Sequence, residues 1–435
     1  MKKILIIGGG FTGMVAAKEL SMAGHHVTIA ESGDALGGLA SSFKVNGEAL
    51  EKAYHHIFRT DSDILQLIND LGIKDLLEWR ESSVAIYRDG RVWPFMTPLD
   101  LLRFKPCSLL GRVRLGIAAL YIKHSKKWEN FTQSSAMEWM GRFCGNSALK
   151  TVWRPLLKGK FADYADDISM AWLWARLHVR SNSREPGGNK ERLGYMKGGF
   201  SKLVEVLDEC LVEFGVEIKL STRVSNILEV ESGKIQVNIG AHTDEFDQVL
   251  FTGANQTFEK LLSKRAGDEE YRQSLQKIGY LGAMCLIFTT KQKLGDHYWV
   301  NINEDDAPFL VFIRHTKLIP PERYNGEEVY YIGAYCHQDK GLFEEDDEAV
   351  KNRWFEYLKL LYPDFNQATL TSEHLFRFRN AQHIVKRGYE DLILDHKTHI
   401  PEVFISNFTQ IYPEDRGMNF AVREGKKIAH LMSES

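Results

Sequence analysis

The chain has 435 residues, with 55 Lys or Arg against 58 Asp or Glu and a formal net charge of −3. Charges of both signs are interspersed, so nothing directs it to nucleic acid, and the length exceeds what one core supports, which calls for two or more lobes. The cysteines (Cys107, Cys144, Cys210, Cys285, Cys336) are odd in number, far apart and never spaced C-x-x-C, which reads as reduced thiols in a cytoplasmic protein, with neither disulfides nor a metal site. No export signal or spanning helix is visible; the best apolar run, Ile278–Phe288, is too short to cross a bilayer and reads as a strand.

The first element is an apolar run, Ile4–Ile7, of the kind that makes a buried parallel strand. Gly8-Gly9-Gly10-Phe11-Thr12-Gly13 follows at once in the spacing G-x-G-x-x-G. Gly8 allows the tight turn, Gly10 lets backbone approach a pyrophosphate, and Gly13 lets the next helix pack closely on the strand. That helix, Met14–Met22, would turn its N-terminal amides to the phosphates. Glu31 comes 18 residues after Gly13, at the end of a second strand (His26–Ala30). A carboxylate there accepts ribose hydroxyls and repels a 2′-phosphate, so the pattern predicts a dinucleotide other than NADP.

A second glycine turn, Gly37-Gly38-Leu39-Ala40-Ser41-Ser42, stands where an NAD domain would continue into another helix and strand. This pattern resembles the FAD-binding superfamily of protoporphyrinogen oxidases, phytoene desaturases and flavin amine oxidases, and is also similar to UDP-galactopyranose mutases. In that group a G-G-x-x-x-S/T turn lies over the pyrophosphate; Leu39 replaces the usual Arg or Lys. The resemblance implies FAD as cofactor, contacted by the first turn (Gly8, Gly10, Phe11, Thr12, Gly13), by Glu31 and Ser32, and by Gly37, Gly38, Leu39 and Ala40. It implies an α/β fold: a Rossmann-like, glutathione-reductase-like FAD-binding domain (residues 1–75, 193–257 and 402–435). A mostly helical cap (76–192) and a mixed-sheet α+β substrate domain (258–401) would interrupt it.

Next comes Glu51–Arg59 (EKAYHHIFR). In resembling enzymes this segment runs under the flavin ring, so the resemblance makes His55 and His56 catalytic candidates near N5, and His56 a cofactor contact as well. Lys52-Ala53-Tyr54 departs from the usual glycine-bearing sequence, and a buried, hydrogen-bonded histidine without a catalytic role is the alternative.

From Thr60 to Arg192, apolar periodicity in Ile64–Leu71, Met137–Cys144 and Ser169–Val179 predicts mostly helix, with an exposed loop at Ser181–Asn189. Within it, Phe95–Trp128 interleaves Leu101, Leu109, Leu110, Ile117 and Leu120 with Arg103, Arg112, Lys123, Lys126 and Lys127. That pattern fits either a peripheral contact with lipid headgroups on the inner membrane face or a lobe packed on the protein itself with a solvated basic side. Trp153–Phe161 (WRPLLKGKF) resembles the W-x-P-L-L segment bordering the substrate cavity of the group. Of its cations Arg154, Lys158 and Lys160, one at most is expected to hold an anionic substrate group, with Arg154 and Lys158 taken as catalytic candidates; complementing a helix C-terminus is the alternative.

Met196–Phe200 is expected to open a helix through Phe214, followed by strands Val216–Leu220, Val224–Val230, Lys234–Ile239 and Gln248–Thr252. In the resembling enzymes the strand holding Val224 passes the adenine, and Gly253 joins the cofactor contacts. Strands at Ala283–Thr289, Phe309–Arg314 and Val329–Tyr335 and a helix at Ala349–Tyr362 then predict a sheet-based lobe, with His315, Thr316, Gln382 and His383 as cavity or strand-end polar groups. At the end, strand Val403–Ser406 leads to Arg416-Gly417-Met418-Asn419, which opens a helix through Leu431. The resemblance aims that helix start at the flavin's pyrimidine edge and makes those four residues cofactor contacts, with Tyr412 as a cage wall or core residue.

The resemblance therefore implies an FAD-dependent oxidoreductase that transfers a hydride from a substrate C–H bond to flavin N5. The substrate would be a small molecule, lipid-soluble or a nucleotide sugar. Two readings stay beside it: a redox-neutral mutase, for which Arg154 and Arg314 are the arginines available to a substrate pyrophosphate, and a flavin-binding scaffold without turnover. No H-E-x-x-H, G-x-S-x-G or Walker lysine offers a competing chemistry.

Overall fold

The computed structural model describes residues 1–183, 191–229, 233–263 and 269–435. A five-stranded parallel sheet runs in the order 403–405, 248–251, 3–7, 26–30, 217–219. Lys3–Ile7 is its central strand, and its apolar run without alternation follows from being covered on both faces. Ile4 and Ile6 pack on helix Phe11–Met22 and the C-terminal helix Met418–Glu434, while Leu5 and Ile7 pack on the meander Val224–Glu229, Ile235–Ile239, His242–Phe246.

A seven-stranded mixed sheet forms the second lobe, in the order 370–383, 280–290, 328–336, 311–314, 299–302, 84–88, 91–94. Alternate residues of its strands again serve two cores: Cys285, Ile287, Val311 and Tyr331 join the nucleotide-fold core, and Leu286, Phe288, Phe312 and Ile332 pack on helix Asp347–Leu361. Helices Leu109–His124, Ala136–Cys144, Arg154–Phe161 and Met170–Asn182 build a third core with Leu281, Ile384 and Tyr389 at the sheet's end. The architecture is thus the expected α/β fold, a parallel sheet joined to a helical lobe and a mixed sheet.

Several local expectations are corrected. The mostly helical stretch after Thr60 also carries strands that were not expected: Leu77–Glu81 pairs with Arg192–Met196, and Val84–Arg88 and Arg91–Pro94 form a hairpin on the edge of the mixed sheet. Its turn, Asp89-Gly90, has φ of +52° and +69°, the two-residue turn that matches strand twist. Met196 ends a strand, and the helix after it is Ser201–Glu213. Strand His242–Phe246 was not anticipated, and Ser181 and Asn182 end a helix. The rest of the expected 181–189 loop, from Arg184 on, and Val230 lie outside the described residues.

The C-terminal helix closes on the first helix through a point with no room for a side chain. A Cβ on Gly425 would lie 2.8 Å from the Thr12 carbonyl oxygen and 2.9 Å from Val15 Cβ. Gly425→Val is therefore expected to destabilise by about 1–3 kcal/mol, the range for forcing extra methyl groups into a packed core. Chemical denaturation of the two proteins measures it, and equal midpoints would show that the two helices separate freely.

Candidate functional site

The first glycine turn is built from backbone. Gly13 lies where a Cβ would sit 2.1 Å from the Gly8 carbonyl oxygen, so the helix can only pack this closely with glycine. Helix Phe11–Met22 has Gly10 at its N-cap, no side-chain cap and no acid in its first turn, which leaves its amides and the positive end of its dipole to a ligand. The second turn lies directly against it. Gly37 N–H donates to the Gly9 carbonyl at 2.9 Å, Gly37 and Gly38 take φ of +106° and +57°, and a Cβ on Gly38 would meet Gly10 Cα at 3.1 Å.

Glu31 completes this arrangement. Its carboxylate accepts from Gly9 N–H at 2.7 Å and Gly33 N–H at 2.6 Å, which fixes its orientation at the end of strand His26–Ala30, with Ser32 Oγ at 3.3 Å. Leu39 is half-buried and Ala40 is buried in the short helical turn after Gly37. Val224 packs with Ile7 and Ala30 below the sheet, and the Gly253 carbonyl is held by Asn407 Nδ2 at 2.7 Å. The C-terminal helix, like the first, begins without a side-chain cap, at Gly417. Met418 is buried in the core, and Asn419 turns its side-chain oxygen to the amides of Asp63 and Ile64 at 2.9 and 3.1 Å, capping helix Ser62–Asp70. The Asn419 carbonyl oxygen is thus committed to a neighbouring helix rather than pointing freely at a ligand.

In front of that helix start lies a charged cluster drawn from three lobes. Asp415 meets Lys160 Nζ at 3.2 Å and Arg176 Nη1, accepts from Arg416 N–H at 3.1 Å, and faces Gln382 Nε2 at 3.5 Å. Lys160, 5% exposed, sits among the rings of Tyr335, Trp172 and Phe161 at 5.0–5.8 Å. Arg416 Nη2 donates to Tyr335 Oη at 3.2 Å. Burial alone would raise the Asp415 carboxyl, but Lys160, Arg176 and Arg416 outweigh it and hold it far below the usual range. Burial likewise opposes ionisation of Tyr335, yet Lys160 and Arg416 draw that phenol down overall, and burial lowers Lys160 against the pull of Asp415.

The histidine pair splits. His55 Nδ1 donates to the Ala53 carbonyl at 2.7 Å, leaving Nε2 as the ring's acceptor, and burial with the Arg416 charge holds it down to about 4. His56 turns the other way, to Tyr298 Oη at 3.4 Å beside Arg180 and Glu191, and burial pushes it down to about 3. Tyr412 packs on Trp128 and Tyr389 and reaches Ser169 Oγ at 3.1 Å, half-buried against the core of the helical lobe.

Among the three cations of 153–161, Lys158 is exposed, Arg154 is half-buried, and Lys160 alone enters the cluster. Arg314 is held by Glu328 at 2.6 and 2.9 Å and by the Gly295 carbonyl, with Thr316 on the same carboxylate, so it is occupied inside its own lobe. His315 is buried against Tyr324 Oη at 2.9 Å. Gln382 and His383, at the end of strand Leu370–His383, do reach the cluster. Asp415, Arg176 and Tyr335 were not anticipated.

Several buried atoms here have no partner in the protein: Arg416 Nε, both ring nitrogens of His383 and Gln382 Oε1. Orphaned polar groups of this kind, with two uncapped helix starts and a side-chain-free approach at Gly10 and Gly38, fit a large polar cofactor lying between the glycine turns and the cluster.

Burial holds His383 down to about 3 from an ordinary 6.5. The unfolded chain takes up this proton below about pH 6.5 while the native one does not, so stability is complete above that pH and is lost as pH falls toward 3. The loss reaches roughly 1.4 kcal/mol per pH unit per histidine. His383→Gln should flatten the acid limb of unfolding free energy against pH by one proton; an unchanged slope would mean that His383 titrates normally.

Known proteins share this fold. Over 406 residues the chain is 22% identical to the 15-cis-phytoene desaturase of Solanum lycopersicum, covering 88% of this chain and 68% of the relative. Its fold superimposes on a putative protoporphyrinogen oxidase from Exiguobacterium with a TM-score of 0.79 at 17% identity, covering 100% of this chain and 99% of the other. It superimposes on a reduced UDP-galactopyranose mutase with a TM-score of 0.76 at 16% identity, over 100% and 96%. At such identities the two structures speak for the fold alone. Residues 11–422 match the flavin containing amine oxidoreductase family. The chain therefore belongs to the flavin containing amine oxidoreductase family and is an FAD-dependent oxidoreductase.

Proposed function

We propose that the protein removes a hydride from a C–H bond of a small molecule carrying an anionic group, in an oxidase, desaturase or dehydrogenase reaction. The observation that carries this reading is the cluster in which one sheltered carboxylate, Asp415, faces three cations: buried Lys160, half-buried Arg416 and exposed Arg176. An excess of cations in a protected place stabilises a negative partner. When bound, FAD supplies a two-electron acceptor at N5.

The chain's own residues do the rest. Glu31 holds the ribose, with Ser32 beside it; Gly8, Gly10, Phe11, Thr12 and Gly13 present amides to the pyrophosphate, and Gly37, Gly38, Leu39 and Ala40 cover it. Val224 and Gly253 border the adenine side. Arg416, Gly417 and Met418 bring the C-terminal helix start to the pyrimidine edge, where a positive helix end is worth up to about 2 kcal/mol to developing negative charge. Lys160 and Arg416 orient the substrate's anionic group, and His55 offers Nε2 as a neutral acceptor. Phytoene desaturase among the relatives supports removal of hydrogen from carbon.

Two substitutions test the two halves separately. A Cβ on Gly10 would find nothing nearer than Gly38 Cα at 4.0 Å, so Gly10→Ala leaves the protein's own packing intact while filling the approach to the pyrophosphate. FAD affinity should fall at least about tenfold, roughly 1.4 kcal/mol, with unfolding unchanged; undiminished FAD binding would refute the cradle.

Anaerobic incubation of the yellow protein with amines, polyisoprenoids, porphyrinogens and nucleotide sugars should bleach the flavin band with a C–H donor. Isomerisation of a nucleotide sugar without net reduction, or a flavin that neither substrate nor dithionite reduces, would overturn the reading. Lys160→Met should lower kcat/KM for that donor by roughly 10- to 150-fold, the worth of a hydrogen bond to a charged group, with dithionite reduction and FAD content kept.

A further inference from the structure

We propose that the outer face of helices Pro98–Arg103 and Leu109–His124 docks the protein on an anionic phospholipid bilayer. Helix Leu109–His124 is apolar on two sides. Leu115, Ala118 and Ile122 are buried in the helical-lobe core, while Leu109, Leu110, Val113, Ile117, Leu120 and Tyr121 are 45–67% exposed on the other side. Positions 109, 113, 117 and 120 fall on one stripe at helical spacing. A surface helix ordinarily turns one apolar stripe inward and a polar face to water, so a second open stripe is a contact surface. Leu99, Leu102 and Phe143 are exposed too, at 45–52%, and Phe143 stacks on Trp139 with centroids 4.2 Å apart.

Charge identifies the occupant. Residues 98–127 hold seven Lys or Arg and a single acid, Asp100, in a chain whose net charge is −3. Asp100 is engaged in the capping box of Thr97, and Arg112 and Arg114 bind the carbonyls of Leu102, Arg142 and Phe143. Arg103, Lys105, Lys123, Lys126 and Lys127 remain exposed around the apolar stripe. A twofold contact with a second copy would press this basic fringe against itself. Anionic headgroups complement it, and leucine, isoleucine and tyrosine beside lysine are what an interfacial helix buries at the boundary of headgroup and acyl chain.

A depression of about 580 Å³ opens in the patch, with Ile117, Leu120 and Tyr121 as walls and His124, Lys126 and Lys127 at its edge. Among the described residues no helix is long and apolar enough to cross a membrane, so the contact is one-sided.

The test is cosedimentation of the FAD-loaded protein with mixed phosphatidylcholine–phosphatidylglycerol vesicles and with pure phosphatidylcholine vesicles, at low and high salt. Binding should be at least about tenfold tighter on the anionic vesicles and weaken with salt. Ile117→Glu with Leu120→Glu, and separately Lys126→Glu with Lys127→Glu, should each lower it by about tenfold or more. Both variants should keep their FAD content, which reports an intact fold. Absence of sedimentation with either vesicle, equal binding by wild type and both variants, or a dimer in light scattering that Ile117→Glu dissociates would each overturn the proposal. None of these readouts depends on the substrate reading above.

Discussion

A single carboxylate has partners in all three lobes. Asp415 sits one residue before Arg416, on the segment that opens the C-terminal helix, and its partners arrive from the helical lobe (Lys160, Arg176) and from the end of the mixed sheet (Gln382). Charges this sheltered are tolerated only when paired and hydrogen-bonded, because the loss of solvation by one ion alone exceeds what packing returns. Asp415 therefore fixes more than its own loop: any displacement of the helical lobe from the C-terminal helix leaves Lys160 uncompensated among aromatic rings.

On the cofactor side the constraint is the opposite one, absence of side chains. Gly10 and Gly38 touch through bare backbone, and the helix starts at Gly10 and Gly417 both lack a capping side chain. Donors and positive dipole ends stay available because the sequence places nothing there to satisfy them. In the proposed reading the two halves of the site divide electrostatic work: amides and helix ends would serve the cofactor's phosphates and ring edge, and Lys160 and Arg416 the substrate face.

Legibility in the sequence followed the range of the interactions. The glycine turns and Glu31 are local, held by partners within the first two strands, the helix between them and the turn that follows, and so their backbone arrangement was readable. The hairpin at Asp89-Gly90 was equally local and its turn signal stood in the chain, but the helical reading of the surrounding residues passed over it. Lys160 was separable from Lys158 in principle: Leu157, Lys160 and Phe161 lie at i, i+3 and i+4 on the buried face, and Lys158 points away. Asp415 was not readable, since its partners lie 255 and 239 residues upstream and nothing in its neighbours requires a carboxylate. The side-chain oxygen of Asn419 also caps helix Ser62–Asp70, a partner from the other end of the chain that its place in the motif did not signal.

The position of Lys160 depends on a defect earlier in its own helix. Pro155 has no N–H to give the Thr151 carbonyl, and the preceding turn, Leu149–Trp153, widens into a π-helix. The freed carbonyl of Thr151, and that of Val152 beside it, accept from Nδ2 of Asn303 at 3.0 and 3.2 Å, a buried side chain just past the strand Trp299–Ile302 of the mixed sheet. Apolar packing alone would let helix and sheet slide with little penalty, whereas an amide bonded to two carbonyls has a direction and a length. The irregularity thus sets the phase of Arg154–Phe161 against the sheet that also carries Tyr335. With that phase, Lys160 faces Asp415 while Lys158, two residues away and on the other side of the helix, is left in solvent.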